Sequence, residues 1–233
     1  MYDYVIFDAD HTIIDFDADE RRAFYAAFRA AGKEPTADME EACWRFSAEN
    51  WADLGLYNVH LPEIQARYHE LYYTHVREIM AFADGAFGLG AQRERAERVF
   101  TEALSAAAHP VEDAPAVLAA LSPRYKLCVA TNGLSSMQAG RLAPLSPFLC
   151  RTFISEEMGF IKPNPAFFRA MTEELGAESS RCLMVGDSLG SDVAGANAAG
   201  MDCIWFNRSG APLPPAYRVK AVISHLNELL KIL

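Results

Sequence analysis

The stretch 3-DYVIFDADHTIIDFD-17 sets five aspartates around a short apolar run, with Asp8 and Asp10 one residue apart where the run ends. An unbroken run of this kind suits a strand buried on both faces, as in a parallel sheet. In an extended strand end, residues i and i+2 point the same way, so both carboxyl groups are able to face one cavity. Carboxylates placed so closely repel one another and lose solvation. The pair is tolerable if a cation lies between the groups or if one of them holds a proton. A hard divalent ion such as Mg2+ takes oxygen ligands and relieves the repulsion. A polar strand end with two solvated aspartates is the simpler alternative.

Runs of similar character recur at 4-YVIF-7, 125-YKLCVA-130, 181-RCLMV-185, 202-DCIWF-206 and 220-KAVI-223. Helix-length segments separate them at 113–121, 135–143, 164–175, 191–199 and 226–232. The alternation predicts an α/β fold with a doubly wound, Rossmann-like parallel sheet, in which ligands bind beyond the carboxyl ends of the strands. The region from about 16 to 100 breaks this rhythm. It reads as amphipathic helices near 18–31, 38–52, 61–81 and 91–107, with no strand among them. The stretch 82-FADGAFGLGAQ-92, with three glycines, reads as a loop. A helical insertion between the first strand and the rest of the sheet is therefore expected.

The 233 residues suffice for one large domain, or a medium one with an insertion, and the 51% apolar and 22% charged composition is that of a globular protein. A net charge of −10 argues against binding a nucleic-acid backbone, which needs clustered Lys and Arg. A small phosphorylated ligand held by local cations remains compatible with it. No apolar stretch reaches the roughly 18 residues of a membrane span. The acidic start, Met-Tyr-Asp-Tyr, runs straight into a strand, so no signal peptide is expected. Five cysteines, at 43, 128, 150, 182 and 203, are odd in number and lack CxxC spacing. A reduced, cytoplasmic setting is expected.

Three further polar groups follow strand-like runs. In 131-TNG-133 a hydroxyl and free backbone N–H groups suit phosphate oxygens, although Thr-Asn-Gly is also a common turn. In 161-IKPNP-165 each residue before a proline is pushed out of the helical region. Pro165 then opens a helix with Asn164 as its cap, and Lys162 is presented on a stiffened loop as a point charge for a phosphoryl group. In 185-VGDSLGSD-192, Asp187 directly follows a strand and Asp192 falls in the next helical turn, where an acid also suits the helix dipole. Small residues at Ala194, Gly195, Ala198 and Ala199 suggest that this helix packs closely.

Acid pair, hydroxyl, lysine and second acid pair, in that order, resemble the four motifs of the haloacid dehalogenase superfamily, matched here by 8-DADHT-12, Thr131, Lys162 and 186-GDSLGSD-192. The details 155-SEEMGFIKPNPAFF-168 and 186-GDSLGSDVAGANAAGMDCIWFN-207 are most similar to its pyrimidine 5′-nucleotidases of noncanonical nucleotides. The resemblance implies a catalytic core over 1–15 and 101–233, with a helical cap domain over 16–100 in the first insertion position. It implies a Mg2+-dependent phosphomonoesterase in which Asp8 is the nucleophile and Asp10 the general acid and base. By the same resemblance, Asp8, the Asp10 main-chain carbonyl and Asp187 hold Mg2+, and Asp192 supports the site from behind or through water. Thr131, the Asn132 N–H and Lys162 hold phosphate oxygens. Dehalogenases of the superfamily lack the second aspartate, so Asp10 argues for phosphoryl transfer. His11 departs from the pattern, in which glycine is frequent, and is expected at the pocket mouth.

The implied partner is a small phosphorylated metabolite of nucleoside monophosphate type, bound by a monomer or homodimer. A phosphatase of phosphoglycolate or sugar phosphates, a sugar-phosphate mutase, and a non-catalytic phospholigand-binding protein are the alternatives. Residues 16–100 hold 14 of the 26 aromatics, so one or two rings there are available to stack on a base. His60, His69 and His75 lack i, i+4 spacing and read as ordinary surface or core residues.

Overall fold

The computed structural model describes residues 1–106 and 108–233. Strand β1 (Tyr4–Phe7) leads into four helices, α1 (Phe16–Ala30), α2 (Ala37–Asp53), α3 (Pro62–Phe87) and α4 (Arg93–Ser105). The α/β alternation then runs through α5 (Ala114–Leu121), β2 (Lys126–Thr131), α6 (Ser135–Leu142), β3 (Leu149–Ile154), α7 (Ser155–Met158) and α8 (Pro165–Leu175). It ends with β4 (Cys182–Gly186), α9 (Ala194–Ala198), β5 (Asp202–Phe206), β6 (Ala221–Ile223) and α10 (Leu229–Ile232).

All six strands are parallel, in the order β3-β2-β1-β4-β5-β6. Alternation along each strand divides the core between two faces. Val5, Phe7, Val129, Leu183 and Ile204 pack beneath α5 and α10, whereas Ile6, Cys128, Met184 and Trp205 pack against α8 and α9. The central strands β1, β2, β4 and β5 are thus covered on both sides, which is why their runs are apolar without alternation. The strand order reverses at β1, which has β2 on one side and β4 on the other, and ligands bind at such a switch point.

The four helices between β1 and α5 build a second core around Phe24, Phe28, Tyr68, Ile79 and Phe100. Asp15 caps α1 by accepting from the Ala18 N–H at 3.2 Å, and Thr36 caps α2 by accepting from Met39 at 3.3 Å. Each such cap contributes about 1 kcal/mol. This helical layer rests on Leu134, Met137 and Ile161 of the sheet-bearing part. Polar contacts reinforce the seam, among them His69 Nε2 to Ser155 Oγ at 2.8 Å and Asn164 Nδ2 to Gln65 Oε1 at 2.8 Å.

The structure departs from the sequence expectations at four places. The glycine-bearing stretch 82–92 is not a loop throughout: α3 continues through Gly85 to Phe87 and stops at Gly88, whose φ of 68° is left-handed. Phe87 packs edge-on against Phe28 at 5.5 Å, which outweighs the roughly 1 kcal/mol that a helical glycine costs. The helix expected over 91–107 spans Arg93–Ser105, and Ala107 lies outside the described residues. Strand β3 has no counterpart in the expected set, because it lies at the sheet edge and carries Arg151 and Thr152 amid its apolar residues. The segment 191–199 is not one helix: a π-helical turn at Leu189–Val193 precedes α9.

Candidate active site

Asp8 is the first residue after β1, and its N–H donates to Val185 O at 2.8 Å, extending the β1–β4 pairing by one step. Asp187 occupies the equivalent place after β4, and Thr131 is the last residue of β2. Three parallel strands therefore deliver these side chains to one edge of the sheet. Asp187 is steadied from two sides: its carbonyl accepts from Trp205 Nε1 at 2.8 Å, and Thr12 Oγ1 lies 3.4 Å from Oδ1.

Lys162, on the proline-flanked loop, lines the cavity and is buried. It is 1% exposed, and Nζ lies 2.7 Å from each of Asp8 Oδ1, Asp192 Oδ1 and Ala130 O. All three ammonium donors are thereby placed. Its backbone is clamped by Asn132, whose Oδ1 accepts from Lys162 N at 2.7 Å while Nδ2 donates to Lys162 O at 2.8 Å. As expected, Asn164 caps the following helix, accepting from Ala166 N at 2.9 Å. Asp192 is fully buried behind the lysine, with Oδ2 accepting from Ser188 N at 3.0 Å. Gly186 makes room for it, since a Cβ there would stand 2.2 Å from Asp192 Oδ2.

Asp8, Asp187 and Asp192 each offer a carboxylate oxygen within 4.8 Å of the others. Three carboxylates share one ammonium, so the buried group carries surplus negative charge. Burial, then Asp192, pushes Asp8 up to about 7 despite its lysine partner. Burial, then Asp8, pushes Asp187 up to about 6. Burial opposes the charge on Lys162, but Asp192 and Asp8 outweigh it and hold the ammonium protonated. A salt-bridged aspartate ordinarily moves down; Asp8 moves up because one cation cannot neutralise three anions in a dry site. An all-oxygen, charge-deficient cluster of this kind fits a hard divalent cation.

Asp10 sits beside this cluster and is held by residues the sequence did not single out. Gln138 Nε2 donates to Asp10 Oδ2 at 3.1 Å and to Thr131 Oγ1 at 2.8 Å. Arg141 Nη1 lies 2.6 Å from Asp10 Oδ1, close enough for an ion pair but not aligned as a hydrogen bond. Arg141 also reaches Asp19 Oδ2 at 3.4 Å and stacks on Phe16, 5.1 Å from the ring centre. Gly133 lets Gln138 approach, as a Cβ would meet its Nε2 at 2.6 Å. Gln138 and Arg141 lie three apart on α6, a spacing that in sequence reads as an ordinary solvated face. Only the tertiary packing turns that face inward.

His11 has φ of 60°, the left-handed region where a glycine carries no Cβ penalty. The departure from the family pattern is therefore a backbone strain of about 1 kcal/mol. Its ring lies 5.7 Å from Phe16 at the edge of the cavity.

Asp8, Asp10, Thr131, Asn132, Lys162 and Asp187 all line one cavity of about 380 Å3, with Asp192 just behind its wall. The opposite wall belongs to the helical layer and carries several aromatic rings, among them Trp44, Trp51, Tyr57 and Tyr72. The family model of haloacid dehalogenase-like hydrolases matches residues 2–200. The chain is a haloacid dehalogenase-like hydrolase. This hydrolase is 31% identical over 211 residues to the pyrimidine 5′-nucleotidase PynA of Streptococcus pneumoniae, covering 89% of this chain and 84% of the relative. To the pyrimidine 5′-nucleotidase YjjG of Escherichia coli it is 28% identical over 235 residues, covering 100% and 98%. The structure superimposes on that of the putative hydrolase YfnB of Bacillus subtilis, a protein crystallised with magnesium, at a TM-score of 0.81 and 26% identity. That match covers 99% of this chain and 98% of YfnB. The hydrolase thus carries its sequence-singled side chains at the carboxyl edge of the sheet. No helix among the described residues is long and apolar enough to cross a membrane.

Proposed function

We propose that the protein is a Mg2+-dependent phosphomonoesterase acting on pyrimidine-type nucleoside 5′-monophosphates, with the helices over 16–100 serving as the cap that selects substrate. The observation that carries this reading is the cavity itself: carboxylates and a buried lysine at one end, aromatic side chains at the other. It is further supported by the similarity to PynA and YjjG over most of the chain.

Asp8 attacks the phosphorus in line, the bond to the leaving sugar oxygen breaks, and an aspartyl-phosphate forms. Asp10 gives its proton to that oxygen, then takes one from the water that cleaves the intermediate. Gln138 and Arg141 keep the Asp10 carboxyl aimed into the cavity. Lys162, Thr131 and the Asn132 N–H act on the phosphate oxygens and offset the charge that develops on them. Asp8, Asp187 and the Asp10 carbonyl would hold Mg2+, with Asp192 behind, and the ion when bound supplies the positive charge the cluster lacks.

Turnover of p-nitrophenyl phosphate with and without Mg2+ tests the chemistry. A panel of UMP, dUMP, dTMP, purine monophosphates, phosphoglycolate and hexose phosphates tests the substrate class. Metal-dependent turnover with preference for pyrimidine monophosphates is expected. No turnover with metal present overturns the enzymatic assignment, and a sharp preference for phosphoglycolate or a hexose phosphate overturns the nucleotide assignment alone.

A further inference from the structure

The end of the cavity away from the carboxylate cluster holds polar side chains that no step above uses. Glu20 of α1, Ser47 of α2 and His75 of α3 all line it, and all three are buried. Ser47 Oγ lies 2.6 Å from Glu20 Oε1 and 3.3 Å from His75 Nε2. His75 Nδ1 lies 2.7 Å from Asn50 Oδ1, and Asn50 Nδ2 donates to Glu78 Oε2 at 2.5 Å.

Proton counting along this row gives a definite result. Glu78 only accepts, so the Asn50 amide is turned with its oxygen toward His75, and Nδ1 of that ring carries the hydrogen. A neutral ring then presents a bare Nε2 to Ser47. Burial keeps His75 neutral, moving it down to about 4. With Glu20 ionised, the single hydroxyl proton of Ser47 is claimed by two acceptors, Glu20 Oε1 and His75 Nε2. The ionised row is then one donor short, and either a proton on Glu20 or an N–H from a ligand completes it.

Glu20 also forms no ion pair among the described residues, although Asp19 and Glu40 nearby each have an arginine. A buried carboxyl without a cation costs free energy unless a donor reaches it. Burial accordingly pushes Glu20 up to about 7. Aromatic walls at Trp44, Trp51, Tyr57 and Tyr72 surround the same space and suit the faces of a flat ring.

We infer that Glu20 is the specificity-determining residue of the cap: it accepts an N–H from a planar heterocycle on the leaving group, so favoured substrates carry a ring imide or amino N–H. The inference rests on the nucleotidase reading and deepens it. A leaving group bearing its own carboxylate meets repulsion from Glu20, and one without a ring N–H leaves the row a donor short.

The full chain with Mg2+ is assayed on UMP and on N3-methyl-UMP, in which a methyl group replaces the imide hydrogen. The readout is the ratio of kcat/KM for the two substrates within one preparation, so the fraction of active protein cancels. The wild-type ratio is expected to be about tenfold to a hundredfold, the range of a hydrogen bond to a charged group. In Glu20→Met, which keeps the length of the side chain, and in Glu20→Ala, the ratio is expected to fall toward one. A wild-type ratio near one, or a variant that keeps the wild-type ratio, overturns the role of Glu20 and leaves the nucleotidase reading standing. Turnover of p-nitrophenyl phosphate with neither nucleotide hydrolysed overturns both.

Discussion

The two ends of the cavity are built in opposite ways. At the sheet end, Asp8 and Asp187 each stand on the first residue past a strand, and Thr131 on the last residue of one. Their placement follows from where an apolar run stops. At the cap end, Glu20, Ser47 and His75 come from the interiors of three helices and meet only because those helices cross. The sheet end gathers three buried carboxylates around one ammonium, whereas at the other end Glu20 meets a serine hydroxyl and forms no ion pair among the described residues. Strand ends thus fix the positions of the groups at one end, whereas the crossing of helices fixes those at the other.

The contrast is sharpest for Asp8→Asn, expected to lower kcat by about 10⁴-fold or more, as for loss of a nucleophile. Steady-state assays within tenfold of wild type would break the assignment. Lys162→Met is expected to lower kcat by about 10²–10³-fold. It also strands Asp8 and Asp192 without their cation, a loss of about 3–5 kcal/mol. Urea denaturation in EDTA should show that loss, with part recovered on adding Mg2+. Equal stability with and without metal would mean that no ion enters the cluster.

Glu20 gives the cap end a different signature. Its folded value of about 7 lies above the ordinary 4.5, so the penalty is absent below about pH 4.5 and grows as pH rises through 7. His75 works the other way: its folded value of about 4 lies below 6.5, so stability is lost as pH falls from 6.5 toward 4. Glu20→Gln should remove the Glu20 share of the loss over that range, about 3 kcal/mol between pH 4.5 and 8, and leave the shares of Asp8 and Asp187 and the acid side in place. Denaturation midpoints across that range check it, and an unchanged alkaline slope would rule out a buried, unpaired carboxyl. The smallest effect is expected for His11→Gly, which relieves a left-handed backbone and stabilises the fold by about 1 kcal/mol or less. A lower melting temperature in this variant would show that the His11 side chain contributes more than its backbone costs.

Residues at strand ends were legible because a parallel sheet announces itself through unbroken apolar runs, and the next polar residue must emerge at the ligand-binding edge. Asp8, Thr131 and Asp187 follow that logic. Lys162 was legible as a charge near a helix start, but its burial against Asp8 and Asp192 was not, since nothing local in 161-IKPNP-165 says which way the loop folds. Gln138 and Arg141 were hidden for the opposite reason: a polar pair three apart on a helix ordinarily faces water. Strand β3 was missed because an edge strand tolerates Arg151 and Thr152.

By itself, the amino-acid sequence determined the alternating sheet, the helical insertion and the identity of the acidic and basic residues at the strand ends. These depend on the period of apolar residues and on chain direction, both local properties. Only the tertiary structure decided that a lysine bridges two buried aspartates, that α6 turns an arginine toward Asp10, and that Glu20 is buried against a serine hydroxyl with no ion pair among the described residues. Those outcomes depend on how surfaces distant in the chain fit together, and on the free energy of removing their charges from water.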